Sequence, residues 1–112
     1  DEQEMLLNLY GACNFLAQPY LYDEGFSATL IESVSCGVPV IVPDRGSPPT
    51  FLSPAVAKFL SRAPDSDELV QVLDTLSRDE KAYSRDVCRK FALDNFGFKN
   101  ADTIINSYEN RK

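Results

Sequence analysis

The 112-residue chain contains no histidine and no tryptophan, and its three cysteines form no Cys-x-x-Cys pair. Without histidine, the chain alone cannot assemble a cysteine–histidine nucleophile, and a zinc site is not expected. Cys13, Cys36 and Cys88 are widely spaced, so we expect reduced thiols packed in a cytosolic core rather than disulfides. No apolar run approaches the roughly 20 residues needed to span a bilayer, and no signal-peptide pattern opens the chain.

Positive charge is also scarce, because 11 lysines and arginines stand against 17 aspartates and glutamates. The resulting net charge of −6 argues against nucleic acid or an anionic membrane surface as a partner. The length fits one domain, which is small for a complete nucleotide-binding enzyme. The chain starts without methionine on the acidic DEQE, which is consistent with a piece of a longer protein.

Apolar residues recur along the chain in alternating strand-like and helix-like patterns. The predicted strands, which are short apolar or β-branched runs, cover 14–20, 38–42 and 55–60. The predicted helices cover 3–12, 28–36, one segment starting at Asp65, one starting at Ser77, and 101–108. The proline-rich segment PDRGSPPTFLSP is predicted to be a loop.

This alternation predicts an α/β fold, with a Rossmann-like parallel sheet of about three strands, flanking helices and right-handed crossovers. A doubly wound nucleotide-binding domain usually has five or six strands. We therefore interpret residues 1–112 as the second half of such a domain.

The stretch from Glu24 to Glu32 places a carboxylate at each end of a glycine loop and a short helix. Ligands of open parallel sheets bind beyond the carboxyl ends of the strands, where this loop lies. Gly25 lets backbone approach a ligand, and the free amides of 27–29 at the helix start favour a phosphate. Glu32 lies roughly 7–8 Å along the helix axis from these amides, at about 1.5 Å per residue. The two carboxylates can therefore accept hydrogen bonds from hydroxyls at both ends of a ligand whose phosphate lies between them, as in a nucleotide-sugar.

The segments FLAQPYLYDEGFS, TLIESVSCGVPVIVPD and RGS resemble the retaining glycosyltransferases of the GT-B fold. The likeness is to the large group called family 4, or glycosyl transferases group 1, and it extends over nearly the whole chain. It implies that the chain is the C-terminal part of a donor-binding domain. It also implies transfer of a sugar from a donor such as a UDP- or GDP-sugar to an acceptor, with retained configuration and no obligatory metal.

The resemblance implies roles for individual residues. Glu24 matches the first motif glutamate, which contacts the donor sugar and is important for catalysis. Three residues match the loop whose backbone holds sugar and phosphate: Gly25, Phe26 and Ser27. Thr29 and Leu30 match positions near the diphosphate and nucleoside, and Glu32 matches the glutamate that binds the ribose.

The sequence also differs from the family pattern in several respects. Ser27 replaces the second glycine of the loop, and Thr50 stands near a position often held by glutamate. The family's basic pair, which neutralises the diphosphate, and its acceptor-binding N-terminal domain are not matched by this chain. Two glutamates beside a diphosphate repel it by about 1 kcal/mol or more per pair, so we expect the isolated chain to bind donor weakly and transfer nothing.

Residues around the motif have ambiguous roles. Tyr20 and Tyr22 flank the loop and either pack at its rim or line the donor pocket. The segment 44–46 follows a strand's carboxyl end and is a candidate for ligand contact. Arg45 and Arg62 are expected mainly at the solvated surface.

Two alternative functions stay open. One is a related GT-B enzyme that epimerises or phosphorolyses a sugar, and the other is a degenerate, non-catalytic interaction module. In the second case an unpaired sheet edge would favour dimerisation. The expected partners are a nucleotide-sugar and an acceptor glycan, lipid-linked or small-molecule acceptor. We expect a cytoplasmic location, with membrane association of the full-length protein left open.

Overall fold

The computed structural model describes Met5 and residues 14–21, 25, 27–79 and 82–96. In chain order the elements are β1 (Leu16–Ala17), α1 (Ala28–Ser35), β2 (Val40–Pro43), α2 (Pro48–Phe51), β3 (Ala57–Leu60), α3 (Ser66–Ser77) and α4 (Arg85–Asn95). The predicted helices at 3–12, apart from Met5, and at 101–108 lie outside the described residues. No helix in the described part of the chain is both long and apolar enough to cross a membrane.

The strands form a three-stranded parallel sheet in the order β1-β2-β3. Leu16 pairs with Val40, and Val40 pairs with Ala57, so the strands begin level with one another. All residues of β2 are buried, as expected for a central strand covered on both faces. The predicted α/β fold, a parallel sheet of about three strands with flanking helices, is therefore confirmed. Strand β1 is much shorter than the predicted 14–20.

Helix α1 has the bounds that its terminal residues predict. Ser27 is extended and its hydroxyl oxygen accepts a hydrogen bond from the Leu30 amide at 3.4 Å, which makes it the N-cap. The helix ends at Cys36, and Gly37 follows with a φ of 85°, a left-handed conformation that favours glycine. Because α1 connects two parallel strands, it begins at the carboxyl edge of the sheet and ends at the amino edge.

The two faces of the sheet carry separate apolar clusters. On the face that we call the α1–α4 face, the buried residues are Tyr20, Leu30, Val34, Val40, Val42, Leu52, Val56, Ala57, Cys88 and Ala92. On the opposite face, called the α3 face, the buried residues are Ile41, Leu60 and Leu76, with Phe15, Leu69, Val72 and Tyr83 partly buried against them. The split follows the strand period of two, because Val40 and Val42 point one way and Ile41 the other.

Helix boundaries in the second half differ from prediction. Asp65 caps α3 as predicted, accepting from the Glu68 amide at 2.8 Å. The Glu68 carboxylate, however, accepts from the Ser61 amide at 2.6 Å instead of completing a capping box. Ser77 does not open a helix, because it is the last residue of α3, and Ser84 caps α4.

Two further predictions on this half are wrong. The segment predicted as loop contains the short helix α2, which begins at Pro48, where proline's missing N–H costs nothing. The helical spacing of apolar residues predicts Leu73 and Val87 on inner helix faces, but they are 41% and 45% exposed.

Candidate functional site

The loops that follow β1 and β2 leave the sheet at the same edge, because the strands are parallel. We call residues 18–27 the first loop and residues 44–47 the second loop. The structure describes 18–21, 25 and 27 of the first loop and all of the second. Glu24 and Phe26, two of the predicted site residues, lie outside the described residues.

The start of α1 lies next to the first loop and is open to solvent. Ala28 and Thr29 are exposed, and the first amides of a helix have no intrahelical acceptor. A Cβ built on Gly25 would meet no atom within 4 Å, so there is free space beside the backbone at that position. Together with the helix dipole, these amides are suited to an anion.

Thr29 and Glu32 share the outer face of α1, because they are three residues apart. Glu32 is half-buried, and among the described residues its carboxylate has no ion pair or side-chain hydrogen bond. Its charge acts on the thiol of Cys36, one turn further on. Burial first, and then the Glu32 carboxylate, raise the pKa of Cys36 to about 12, while Arg89 works in the opposite direction. Cys36 is therefore a protonated, unreactive thiol at neutral pH.

Leu30 differs from the other predicted site residues because its side chain faces the core. It is 0% exposed and belongs to the α1–α4 face. A contact between its side chain and a ligand would require the helix to move. The Leu30 amide donates a hydrogen bond to the Ser27 hydroxyl oxygen, so Leu30 is connected to the site through the N-cap. The predicted role of Leu30 beside the nucleoside stays a prediction.

The second loop approaches the first through Tyr20. This side chain is 8% exposed, and its hydroxyl lies 3.3 Å from the Arg45 carbonyl oxygen and 3.5 Å from that of Pro43. Tyr20 therefore packs beneath the two loops instead of lining an open pocket. Sequence reasoning missed this contact, although a tyrosine directly after a strand end signals a polar tip that needs a partner.

Arg45 also links the ends of two strands. Its Nη1 atom donates to the carbonyl oxygen of Arg62, beyond β3, at 3.4 Å. Arg62 is exposed as expected, whereas Arg45 is half-buried. Asp44 and Gly46 are exposed, and Gly46 has a φ of 71°. A cationic side chain is thus held at the carboxyl edge, in the loop predicted to contact ligand.

A cavity of about 730 Å³ lies at the opposite, amino edge of the sheet. Its lining includes Phe15 before β1, Pro39 before β2, Leu73 of α3 and Tyr83 before α4. Of the predicted site residues that the structure describes, none lines it. The cavity is therefore separate from the site at the carboxyl edge.

A family model described as Glycosyl transferases group 1 matches residues 1–92. The chain belongs to this family. This confirms the group named from the sequence motifs, while the retaining mechanism and membership of family 4 stay predictions. A sequence search of curated proteins gives no match.

Solved structures share the fold of this chain. The Anabaena protein HepE, in complex with UDP, superposes with a TM-score of 0.69 at 20% identity, covering 92% of this chain and 28% of HepE. The HepE complex with UDP and glucose gives a TM-score of 0.71 at 20% identity, covering 95% and 28%. Sucrose-phosphate synthase from Thermosynechococcus elongatus gives 0.61 at 23% identity, covering 94% and 23%. The chain thus spans less than a third of these proteins.

Proposed function

We propose that this chain is the C-terminal part of the donor-binding domain of a retaining, family 4-like glycosyltransferase. In the full-length protein it would hold a nucleotide-sugar while the sugar passes to an acceptor. The observation that carries the proposal is the arrangement at the carboxyl edge. At this edge the helix start is exposed, there is open space beside Gly25, and Thr29 and Glu32 lie on one helix face. The chain that carries these features is a member of the glycosyl transferases group 1.

In the proposed complex each part of the donor meets a different group. The amides at the start of α1 hold the diphosphate, which is anionic. Glu32 accepts hydrogen bonds from the ribose diol, and Glu24 accepts them from the sugar hydroxyls. Transfer proceeds on the front face of the sugar, and positioning and stabilisation of the departing nucleoside diphosphate supply the rate. No metal is required in this scheme.

Relatives of similar fold favour a uridine nucleotide as the donor. HepE has been crystallised with UDP, and also with UDP and glucose. Between the UDP- and GDP-sugars implied by the motifs, we therefore propose a UDP-sugar, with a hexose as the transferred group. The acceptor would bind to the N-terminal domain of the full-length protein. We further propose a cytoplasmic location, with membrane association as an alternative.

Charge limits what the isolated chain can do. Its net charge is −6, and two of its carboxylates would lie beside the diphosphate. Each such pair costs about 1 kcal/mol or more, and one helix start returns about as much. We therefore propose that upstream cations complete the site and that the isolated chain transfers nothing. An isolated chain would instead tend to dimerise through a sheet edge that is unpaired among the described residues.

Replacing Glu24 tests the proposal in the full-length protein. We expect Glu24→Ala to lower turnover by about 100-fold or more, because an interaction made in the transition state is lost. The assay follows release of UDP upon addition of acceptor, which separates transfer from epimerisation. Product configuration, read by NMR, tests retention.

The matched control for this experiment is Asp74→Ala. Asp74 is an exposed carboxylate in the second half of α3, next to Leu73, which borders the amino-edge cavity. We expect it to leave turnover unchanged. Wild-type turnover in Glu24→Ala would contradict the catalytic role of this residue, and acceptor-independent sugar isomerisation would favour the epimerase alternative.

A further inference from the structure

Tyr20 connects the first loop with the second loop, which are far apart in the sequence. It sits in the first loop, just after β1, and its ring belongs to the α1–α4 face. Its hydroxyl reaches the second loop, where the carbonyl oxygen of Arg45 lies at 3.3 Å. The carbonyl oxygen of Pro43 lies at 3.5 Å. A hydroxyl has one hydrogen to donate, so the nearer Arg45 carbonyl is the better acceptor.

The position of this contact matters because ligands of parallel sheets bind where these loops meet. We propose that Tyr20 is a positioning residue for the donor, whose hydroxyl fixes the second loop relative to the first. This inference rests on the proposed function, because it deepens the description of the same site. Tyr20 itself does not touch the donor, since it is 8% exposed.

The second loop needs such a support because its backbone turns sharply. Gly46 has a φ of 71°, and the Arg45 side chain extends to the Arg62 carbonyl at 3.4 Å. The carbonyl oxygen of Arg45 is therefore held by the Tyr20 hydroxyl, and its guanidinium group is held at the end of β3 by the Arg62 carbonyl. Without the hydroxyl, the Arg45 backbone moves more freely, and with it the cationic side chain that lies at the carboxyl edge of the sheet, where the donor is proposed to bind.

Tyr83 provides a matched control within the same sheet. Its hydroxyl also donates to a backbone carbonyl oxygen, that of Ala57 in β3 at 3.3 Å, and this hydrogen bond is partly buried like that of Tyr20 with Arg45. It lies at the amino edge, beside the cavity and away from the proposed donor site. Removing either hydroxyl deletes one tyrosine–carbonyl hydrogen bond, but only one of the two bonds lies at the ligand edge.

The test compares Tyr20→Phe with Tyr83→Phe in the full-length protein. Loss of one neutral hydrogen bond that orders a site corresponds to about a three- to tenfold change in an equilibrium. We expect the donor KM and the Kd for UDP to rise by this factor in Tyr20→Phe, with kcat changed less than about twofold. We expect Tyr83→Phe to leave both constants unchanged. Amide hydrogen exchange should be faster at 44–47 in Tyr20→Phe than in the wild type.

Several results would overturn the inference. Unchanged donor KM in Tyr20→Phe, or an equal rise in Tyr83→Phe, would show that the hydroxyl has no specific effect on the site. A Tyr20→Phe protein that does not fold would also overturn it, because the hydroxyl would then hold the whole domain. If the wild type binds no nucleotide and transfers no sugar, the proposed function fails instead. The exchange rates at 44–47 then decide the loop contact alone.

Discussion

Among the described residues, two helices, α1 and α4, pack on one face of the sheet, whereas α3 packs on the other. The α1–α4 face has ten buried apolar residues, of which Leu30, Val34, Val40 and Val42 are 0% exposed. On the α3 face Ile41 is also 0% exposed, but three residues are buried in all, and Leu73 of α3 is 41% exposed beside the cavity of about 730 Å³. Close packing leaves side chains few alternative positions, so the α1–α4 face is the more rigid of the two.

The difference matters because the proposed site is built on the closely packed face. A site that binds a small ligand needs its groups held by rigid elements. Helix α1 supplies the exposed helix start and Glu32, and its inner residues are locked against β2 and α4. The amino-edge cavity, by contrast, is lined by residues of α3, and one of them, Leu73, is partly exposed. Three predictions test this contrast.

The largest effect is expected from comparing the truncation of a buried leucine on the α1–α4 face with that of a partly exposed leucine of α3. Leu30→Ala removes a fully buried side chain, and we expect it to lower the free energy of unfolding by about 3 kcal/mol. Leu73→Ala, on the α3 face, should cost less than about 1 kcal/mol, because Leu73 is 41% exposed. Urea unfolding followed by circular dichroism measures both. Equal losses would remove the contrast between the faces.

The next effect concerns Gly37, which follows α1 and lies close to the first turn of α4. A Cβ on Gly37 would lie 2.5 Å from Nη1 of Arg89 and 3.3 Å from the backbone oxygen of Arg85. Arg89 is itself buried and ion-paired with Asp86. We expect Gly37→Ala to cost about 2–3 kcal/mol, through both its φ of 85° and this close approach.

The matched variant is Gly46→Ala, in the second loop. Gly46 also has a positive φ, 71°, but it is exposed. We expect a loss of about 1 kcal/mol from its left-handed backbone conformation. Thermal or urea unfolding measures the free energy of unfolding of both variants. A loss in Gly37→Ala no larger than in Gly46→Ala would contradict the close approach of Gly37 to α4.

The smallest effect is a dependence of stability on alkaline pH. Burial raises the pKa of Cys36 to about 12 and that of Cys88 to about 11, from an ordinary 9.0. In the unfolded chain these thiols ionise near their ordinary pKa, while the folded protein keeps them protonated. Their contribution to stability is therefore complete below about pH 9 and is lost as pH rises toward about 11–12.

The expected slope is about 1 kcal/mol per pH unit for each thiol over this window. Cys36→Ala should flatten the loss of unfolding free energy between pH 9 and 11 compared with the wild type. Other groups titrate in the same range, so the difference between the two proteins is the quantity to measure. Parallel pH curves would show that Cys36 is not held in a dry environment.

Local signals in the sequence were sufficient for the sheet and for α1. The β-branched run before Pro43 identified the central strand, and Ser27 and Gly37 marked the helix bounds because each has a specific backbone role there. The sequence was misleading at Ser77, whose position predicts the start of a helix. Ser84 rather than Ser77 opens α4, because α3 continues to Leu76, which packs on Ile41. That choice depends on tertiary packing, which a local cap signal does not contain.

The site was predictable in part for the same reason. Thr29 and Glu32 on one helix face follow from spacing, and so does the exposed helix start. The burial of Leu30 was not foreseen, because the family resemblance assigns a position to the site without saying which way its side chain points. The contact between Tyr20 and Arg45 joins residues far apart in sequence. No periodic pattern indicates such a contact, since it depends on how two loops meet.

The parallel pairing of the strands also determines when the site can form during synthesis. Residues Leu16 and Ala17 of β1 pair with Val40 and Ile41, which leave the ribosome after the whole of α1. The pairing partner of β1 in this sheet is therefore missing while the Glu24 loop is being made. Such non-local pairing closes late and slowly, because chain entropy is lost before the contacts form. The proposed sugar-nucleotide site therefore cannot form until β2 has been synthesised and has paired with β1.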